Sequence, residues 1–371
     1  MLAKKIRIKP TKIQEDKLFK SAGVARWAYN WTIEQQEKSY KNTKKIVQDG
    51  ELRKAVIQLK KTEDFSWLKE VSGDIPKQAI KDACRAYSQF FKGGFNKPQF
   101  KSKKKSKPSF YNDTSKLKMK NKEVFILKVG WVKTSEQMPV DRKIYNPRIK
   151  FDGKYWYITL SYEKDVKKEK LNEISIGIDL GIKELAVVSD GTIYENINKS
   201  KVVKAKQKRL RRLQRNVSKK YENNKKGGNF VKTRNIIKKE KEIKLLHRSL
   251  TNIRLNHLHQ TTTSIVRTKP KRIVIEDLNV KGMMKNKKLA KHISNQKFNE
   301  FKRQIIYKSE LRGIEVVLAD RFYPSSKTCY NCGNIKSDLK LSDRLYSCEC
   351  GFEIDRDMNA ALNLSNYGLV D

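Results

Sequence analysis

The chain has 371 residues, 37% apolar and 33% charged, enough for two or three domains around a substantial core. Its 84 Lys and Arg outweigh 40 Asp and Glu for a net charge of +44, which would match about 75 Å of duplex DNA, on the order of 20 base pairs. Solubility asks for only about 2–8 charges in a small domain, so a polyanionic partner is expected; no run approaches the roughly 18 uncharged apolar residues of a membrane span, and the start MLAKKIRIKP lacks the apolar region of a secretory signal, so a cytoplasmic protein is expected.

Residues 1–9 alternate around Leu2, Ile6 and Ile8, a short strand. Pro10-Thr11 with Gln14 three positions on supplies a helix start with a capping box. Helical spacing follows through Leu18 and Ala22 and, past Gly23, through Trp27, Trp31 and Tyr40, which makes two helices. A third is expected near 48–62, and a fourth, opened by Pro76, from Lys77 to Phe91. This α-helical block, 11–92, ends at Gly93-Gly94. Lys101, Lys103 and Lys104 then lie in a basic loop interleaved with Phe95, Phe100, Phe110 and Tyr111, a surface suited to neutralise phosphate and stack bases. From 109 to 163 the pattern turns to strands: Val124–Leu127, one at Trp131, and a hairpin from Arg148 to Leu160 on an Asp152-Gly153 turn. The first strand is expected to pair here and close a small β-barrel with the helical block inserted into it. Lys164 to Lys170 reads as a charged linker.

A new unit opens at 172. Ile174, Ile176 and Ile178 alternate on one face, Asp179-Leu-Gly181 breaks the strand, Leu185–Val188 returns, and Asp190-Gly191 turns into a third strand. A three-strand meander with an acid ending its first strand opens a ribonuclease H-like fold. Next comes a helix with apolar positions Val202, Leu210, Leu213 and Val217. Between Lys199 and Lys226 it carries 13 Lys or Arg, Arg209, Arg211, Arg212 and Arg215 among them, against the single acid Glu222. Uncompensated like charge destabilises a helix, so this face is expected to track nucleic acid. Gly227-Gly228 separates it from a second helix, 231–267, whose His247, His257 and His259 are not expected to bind metal. Lys271–Ile275 is a buried strand ending in Glu276-Asp277. Ser294 is expected to cap a helix whose core side is Phe298, Phe301, Ile305 and Ile306, stopped by Gly313 before a strand at Ile314–Leu318.

Four of the five cysteines follow, as Cys329-x-x-Cys332 and Cys348-x-Cys350, while Cys84 lies in a helical pattern and reads as core. Paired thiolates at such spacing, in a chain without a secretory signal, suit one tetrahedral structural Zn²⁺. Beyond them, Asp355-Arg356-Asp357 opens a small-residue helix from Asn359. Asp179 and Glu276 at strand ends and Asp357 at a helix start could converge on two divalent cations for phosphodiester chemistry.

The motifs Gly177-Ile-Asp179-Leu-Gly181, Ile275-Glu276-Asp277-Leu-Asn279, Ser325-Ser326-Lys-Thr-Cys329-x-x-Cys332-Gly and Asp355-Arg-Asp357-x-Asn359-Ala-Ala resemble the transposon-encoded TnpB family of RNA-guided DNA endonucleases, relatives of the compact type V CRISPR effectors. The likeness runs over nearly the whole chain. It implies an α+β multidomain fold: a wedge-type β-barrel at 1–10 and 93–165, a helical recognition lobe at 11–92, a ribonuclease H-like (RuvC) nuclease domain at 171–325 and 353–371, and a zinc-binding insertion at 326–352. It implies that Asp179, Glu276 and Asp357 hold two Mg²⁺, with Mn²⁺ as a substitute, and that Asp355 and Asn359 support them from behind. Gln78 sits where such proteins read a short duplex motif beside the target. Guide RNA and target double-stranded DNA are the implied partners, with no membrane, and both a monomer and a dimer on RNA fit. The same acids would also serve a DNA transposase working by strand transfer without a guide, or be kept by a non-cleaving nucleic-acid-binding regulator.

Overall fold

The computed structural model describes residues 1–163, 169–340 and 343–368, and the chain divides into two compact units, Met1–Lys164 and Asp165–Asp371. Most of the expected charged linker, 164–168, lies outside the described residues. Glu169, just after it, pairs with Lys269 at 3.1 Å and lies 3.8 Å from Arg312.

The first unit begins with β1 (Leu2–Lys9) and α1 (Lys12–Thr43). Thr11 caps α1 through the full reciprocal capping box with Gln14. The break expected at Gly23 is absent and α1 is one helix. A mid-helix glycine costs only about 1 kcal/mol, and the neighbouring Ala22, Val24 and Ala25 are buried against the core. After α2 (Asp49–Leu59) comes a 3₁₀ segment, Glu63–Glu70, which the apolar spacing does not announce, and then α3 (Asp74–Phe91). The strands follow as β2 (Ser109–Tyr111), β3 (Lys118–Lys120), β4 (Glu123–Ile126), β5 (Gly130–Thr134), β6 (Ile144–Phe151) and β7 (Trp156–Tyr162). As expected, β1 joins this sheet, between β7 and β5, and β6 and β7 form the hairpin around Gly153 (φ +100°).

The sheet order is β2-β6-β7-β1-β5-β4-β3. It curls but does not close, so the expected closed barrel is corrected to a half-barrel. The two edges, β2 and β3, are three residues long, and both lysines of β3 are exposed. Short, lysine-bearing edges resist further pairing. Ile6, Ile8, Trp156, Ile158 and Leu160 of the sheet pack with Leu18, Ala28, Ile33, Ile80 and Ala83 of the helices in one core. Cys84 is packed against that core, as expected.

The second unit contains β8 (Asn172–Asp179), β9 (Glu184–Val188), β10 (Ile193–Glu195), α4 (Lys201–Asn223), a small hairpin of β11 (Lys225–Lys226) and β12 (Asn229–Phe230), α5 (Arg234–Arg267), β13 (Pro270–Glu276), α6 (Val280–Met283), α7 (Ala290–Gln296), α8 (Phe298–Glu310), β14 (Glu315–Ala319), the hairpin β15 (Leu345–Ser347) and β16 (Glu353–Asp355), and α9 (Arg356–Asn366). Its main sheet runs β10-β9-β8-β13-β14, with β13 parallel to both β8 and β14 and the meander antiparallel. This is an α/β, RuvC-like region.

The period of two decides which face each strand residue serves. Ile176, Ile178, Ile273 and Ile275 pack with Leu258, Ile265, Phe298 and Phe301 from α5 and α8. Val274 packs with Leu364 of α9 on the other face. Gly177 is needed there. A Cβ at this position would stand 2.0 Å from the Ala361 carbonyl oxygen and 2.4 Å from the Ser365 nitrogen, so only glycine lets α9 lie directly on β8.

Three local expectations are corrected. Val203, not Val202, lines the α4–α5 seam with Leu210, Leu213, Leu246 and Leu250; Val202 is 59% exposed. Ser294 caps nothing: it lies inside α7, and the break before α8 is made by Lys297 in the left-handed region, which no side chain caps. Ile174 lies toward the start of β8, outside the buried core, and is exposed. Among the described residues no helix is long and apolar enough to cross a membrane.

Candidate active site

The alternation that sends Ile178 and Ile275 to one face sends Asp179 and Glu276 to the other, toward α9. These acids end adjacent parallel strands, with Ile178 paired to Ile275. Asp357 lies in the first turn of α9, the helix seated on that same face. Asp179 keeps a little accessible surface but is closely surrounded, and its carboxyl is pushed up to about 8, first by burial, then by the charges of Asp357 and Glu276. Burial also raises Glu276. Neither carboxylate has a hydrogen-bond or ion-pair partner among the described residues. The oxygens of the three acids are not all within 4.8 Å of one another. Unpaired carboxylates at adjacent strand ends are the donor set that a hard divalent cation satisfies.

Glu276 and Asp357 each have an acidic neighbour with a different task. Asp277, beside Glu276, bonds Lys302 at 2.8 Å and Arg321 at 2.9 Å, and these contacts hold it below the usual carboxylate range. Asp355 caps α9, its Oδ1 accepting from the Asp357 N–H at 2.9 Å and the Met358 N–H at 3.2 Å. Asp357 is paired by Arg356 at 2.8 Å and, more loosely, by Arg344 at 3.6 Å. These basic partners were not singled out from sequence, although Arg356 sits within the acidic motif.

Asn359, expected to support the acids, is buried and turned to another task. Its Oδ1 accepts from the Tyr330 N–H at 3.1 Å and its amide donates to the Thr328 carbonyl at 2.7 Å. One turn later Asn363 donates to the Ser325 and Thr328 carbonyls. Two amides at i and i+4 on α9 thus clamp the segment that carries Cys329. The repeat Asn359-Ala-Ala-Leu-Asn363 carried that signal, one face of a helix.

The four cysteine sulfurs lie within 4.8 Å of one another, the only such ligand group among the described residues. The Cys329–Cys350 and Cys332–Cys348 separations are 3.7 and 3.6 Å. A tetrahedral ion with metal–sulfur bonds of about 2.3 Å spaces its ligands about 3.8 Å apart, so the cluster is shaped to hold a metal ion. Gly333 (φ +79°) and Gly351 (φ +85°) make the tight turns behind each cysteine pair. The Phe352 N–H leads in drawing the Cys350 thiol down to about 6.

Three family descriptions match the chain: "Helix-turn-helix domain" over residues 1–45, "Probable transposase" over 158–287 and "Cas12f1-like, TNB domain" over 298–364. Residues 1–45 are here a strand and one unbroken helix rather than a helix-turn-helix. Over 370 residues the chain is 31% identical to a Streptomyces pristinaespiralis protein whose name assigns it to the RNA-guided DNA endonucleases, covering 99% of this chain and 89% of that protein. The chain belongs to the TnpB/Cas12f1-like family of RNA-guided nucleases. The similarly named InsQ of Escherichia coli K12 is 29% identical over 382 residues, 98% of this chain and 91% of InsQ. The cryo-EM structure of a Cas12f1–sgRNA–target DNA complex shares the fold, with a TM-score of 0.60 and 16% identity over 95% of this chain and 82% of that one.

In this TnpB-like chain the residues expected to meet nucleic acid differ in how free they are. Arg211, Arg212 and Arg215 are exposed on α4 with no ion pair among the described residues, whereas Arg209 lies 3.8 Å from Glu242. Lys103 and Lys104 are exposed in a turn. Lys101 is anchored instead. Its backbone exchanges two hydrogen bonds with the Asn30 side chain, and its amine lies 3.3 Å from the Tyr29 ring centroid, where burial lowers its pKa although part of the residue stays in solvent. Gln78 lines a cavity of about 360 Å³ with Asp82, Lys101 and Arg148. Its amide donates to Asp82 at 2.9 Å, and Asp82 is gripped by both Arg148 nitrogens at 2.7 and 3.0 Å. His257 bonds the Glu195 carbonyl, and none of the three histidines of α5 joins a metal-holding group among the described residues.

Proposed function

We propose that the protein is an RNA-guided DNA endonuclease whose reaction centre is the cleft where β8 and β13 end and α9 begins. The observation that carries this reading is the pair of unneutralised carboxylates, Asp179 and Glu276, on adjacent strand ends in a chain of this family. Asp179, Glu276 and Asp357 would hold two divalent cations, Mg²⁺ or Mn²⁺, which when bound supply activation of the attacking water and stabilisation of the leaving 3′ oxygen. The chain's own part is placement. Asp179 and Glu276 stand on strands buried on both faces, so their backbones cannot drift. Asp355 orders the first turn of α9, and with it the Asp357 backbone. Arg356 and Arg344 supply positive charge beside Asp357. Asp355 is thereby a helix cap and Asp357 the ligand.

The four cysteines would hold one Zn²⁺ as a closed structural site, since four thiolates leave no position for a reacting water. Asn359 and Asn363 connect that site to α9, so the zinc knuckle steadies the helix that presents Asp357. The half-barrel at 1–10 and 93–165 and the helical lobe at 11–92 would grip guide and target. Gln78 would read the short flanking motif, while base pairing with the guide chooses the target. The exposed α4 arginines would follow the phosphate backbone.

The description "Probable transposase" over 158–287 favours a second reading, strand transfer by the same acids with no guide. The test is to purify the protein without nuclease treatment, sequence the RNA that accompanies it, and assay cleavage of a duplex matching that RNA. A structured RNA whose removal by ribonuclease ends cleavage is the expected result. RNA-free protein that joins or cuts DNA equally well would overturn the guided reading, and guided binding with no cleavage would favour a regulator.

A further inference from the structure

The turn leaving β14 is held on every side, yet it carries the most exposed large apolar side chain among the described residues. Ala319 ends β14, fully buried and paired with Glu276. The Asp320 N–H donates to the Tyr367 hydroxyl at 3.2 Å, and the Asp320 carboxylate accepts from the Phe322 N–H at 2.8 Å. Arg321 donates to the Asp277 carboxylate at 2.9 Å. Tyr323 closes the turn, its N–H bonding the Asp320 carbonyl at 3.1 Å, its ring set edge-on to Tyr367 at 4.8 Å and its hydroxyl donating to the Asn363 carbonyl at 3.3 Å. In the middle of this framework Phe322 is 87% exposed. Neither core packing nor a loose loop accounts for a rigidly mounted ring left in water.

We propose that Phe322 is a substrate-positioning residue that stacks on one base of the single-stranded DNA entering the cleft, an inference that rests on the nuclease reading above. The ring stands three residues beyond the strand position paired with Glu276, and Arg321, its neighbour, shares the single carboxylate of Asp277 with Lys302, which leaves net positive charge beside the ring for the adjoining phosphate. An aromatic face beside a cation is the usual platform for unpaired bases, and it tolerates any sequence because every base has a π-face. A platform on a fixed turn would hold the strand in register with the acids, and duplex DNA, whose bases are already stacked, could not use it.

The experiment uses the protein with its copurified RNA. Phe322→Ala should lower kcat/KM for guided cleavage about ten- to a hundredfold, the size of one lost base–aromatic stack, with thermal unfolding unchanged. Phe322→Trp should restore the rate and Phe322→Leu should not. Targets carrying a single abasic nucleotide, moved stepwise past the cut, should reveal one position where the native protein loses the same factor and the Phe322→Ala protein loses nothing further. With 2-aminopurine at that position, Asp179→Ala protein should quench its fluorescence on binding and the Phe322→Ala/Asp179→Ala double variant should not. Cleavage by Phe322→Ala within twofold of native, or independent losses at every abasic position, overturns the proposal. A native protein that fails to cut would count against the nuclease reading alone, since 2-aminopurine moved stepwise along the target reads the quench without any cleavage and still decides the role of Phe322.

Discussion

The acids and the cysteines are both clusters of anionic ligands, yet the chain builds them in opposite ways. The thiols come from one short segment, 329–350, and lie within 4.8 Å of each other through local turns at Gly333 and Gly351. The acids come from positions 179, 276 and 357 and depend on parallel strand register, on the alternation that turns Asp179 and Glu276 away from the isoleucine core, and on a glycine that admits α9. They also differ in tension. The thiols can share protons in hydrogen bonds with one another, whereas Asp179 and Glu276 have nothing of opposite charge bonded to them among the described residues. Proximity in sequence makes a site that holds itself together. A site assembled by topology is held by everything around it and can be left electrostatically unsatisfied, which is the condition a catalytic metal site needs.

The sharpest break in that comparison is removal of an acid. Asp179→Ala or Glu276→Ala should reduce guided cleavage to background while guided DNA binding stays nearly native, because affinity rests on dispersed Lys and Arg. Asp357→Ala should do the same with zinc still bound. Cleavage gels beside a binding assay decide it, and a cutting Asp179 variant would sink the two-cation assignment.

Next in size is the link between the sites. Cys329→Ser should lower bound zinc and slow cleavage about a hundredfold, the order expected when a reacting group moves by about 1 Å, and extra Mg²⁺ should not restore it. Elemental analysis paired with rates tests this. An active protein without zinc would separate the two sites.

A smaller effect follows from the tension at Asp179. Unfolded, this carboxyl titrates near about 3.9, whereas folded and metal-free it is pushed up to about 8, by burial first and then by Asp357 and Glu276. Between those values the folded chain keeps a proton that the unfolded chain has released, so metal-free stability should fall as pH rises from about 4 to about 8 and level off above. Chelator-treated protein should melt at progressively lower temperature across that window, and Asp179→Asn should flatten the slope. Equal slopes in both proteins would remove the tension from the comparison.

The smallest effect separates the two aspartates of α9. Asp355→Ala loses a helix cap, which costs about 1 kcal/mol, visible in denaturant unfolding, and should leave measurable cleavage. An inactive Asp355 variant beside an active Asp357 variant would reverse their roles.

Much of the fold was legible because its signals are local. The Thr11–Gln14 capping box, the Asp152-Gly153 turn, the meander after Asp179 and the cysteine pairs each declare themselves within a few residues. Where the reading failed, a longer-range contact had overruled a local cue. Gly23 looked like a break until the packing of Ala22, Val24 and Ala25 kept α1 whole. Val202 and Val203 are equivalent in composition, and only docking against Leu246 and Leu250 selects the second. The barrel remained open because closure needs the two edge strands to meet, and β2 and β3, three residues each, stand unpaired with one another at opposite ends of the sheet.

Composition and spacing already set which chemistry the chain carries: an uncompensated positive charge, four thiols at knuckle spacing, and acids where strands stop and a helix starts. Which acids stay unpaired was settled by the packing of distant segments. Glu276 and Asp277 are adjacent carboxylates with the same charge, yet the strand's pleat turns one toward α9 and Asp179 while Lys302 and Arg321, brought in from α8 and the turn after β14, neutralise the other. The same packing decided that Asn359 serves the knuckle, because a side chain's partner depends on what the helix lies against, and α9 lies with that face toward Thr328 and Tyr330. Residue type fixes the charge and the hydrogen-bonding capacity of a group; its partners are set by chain segments far away, which no local pattern contains.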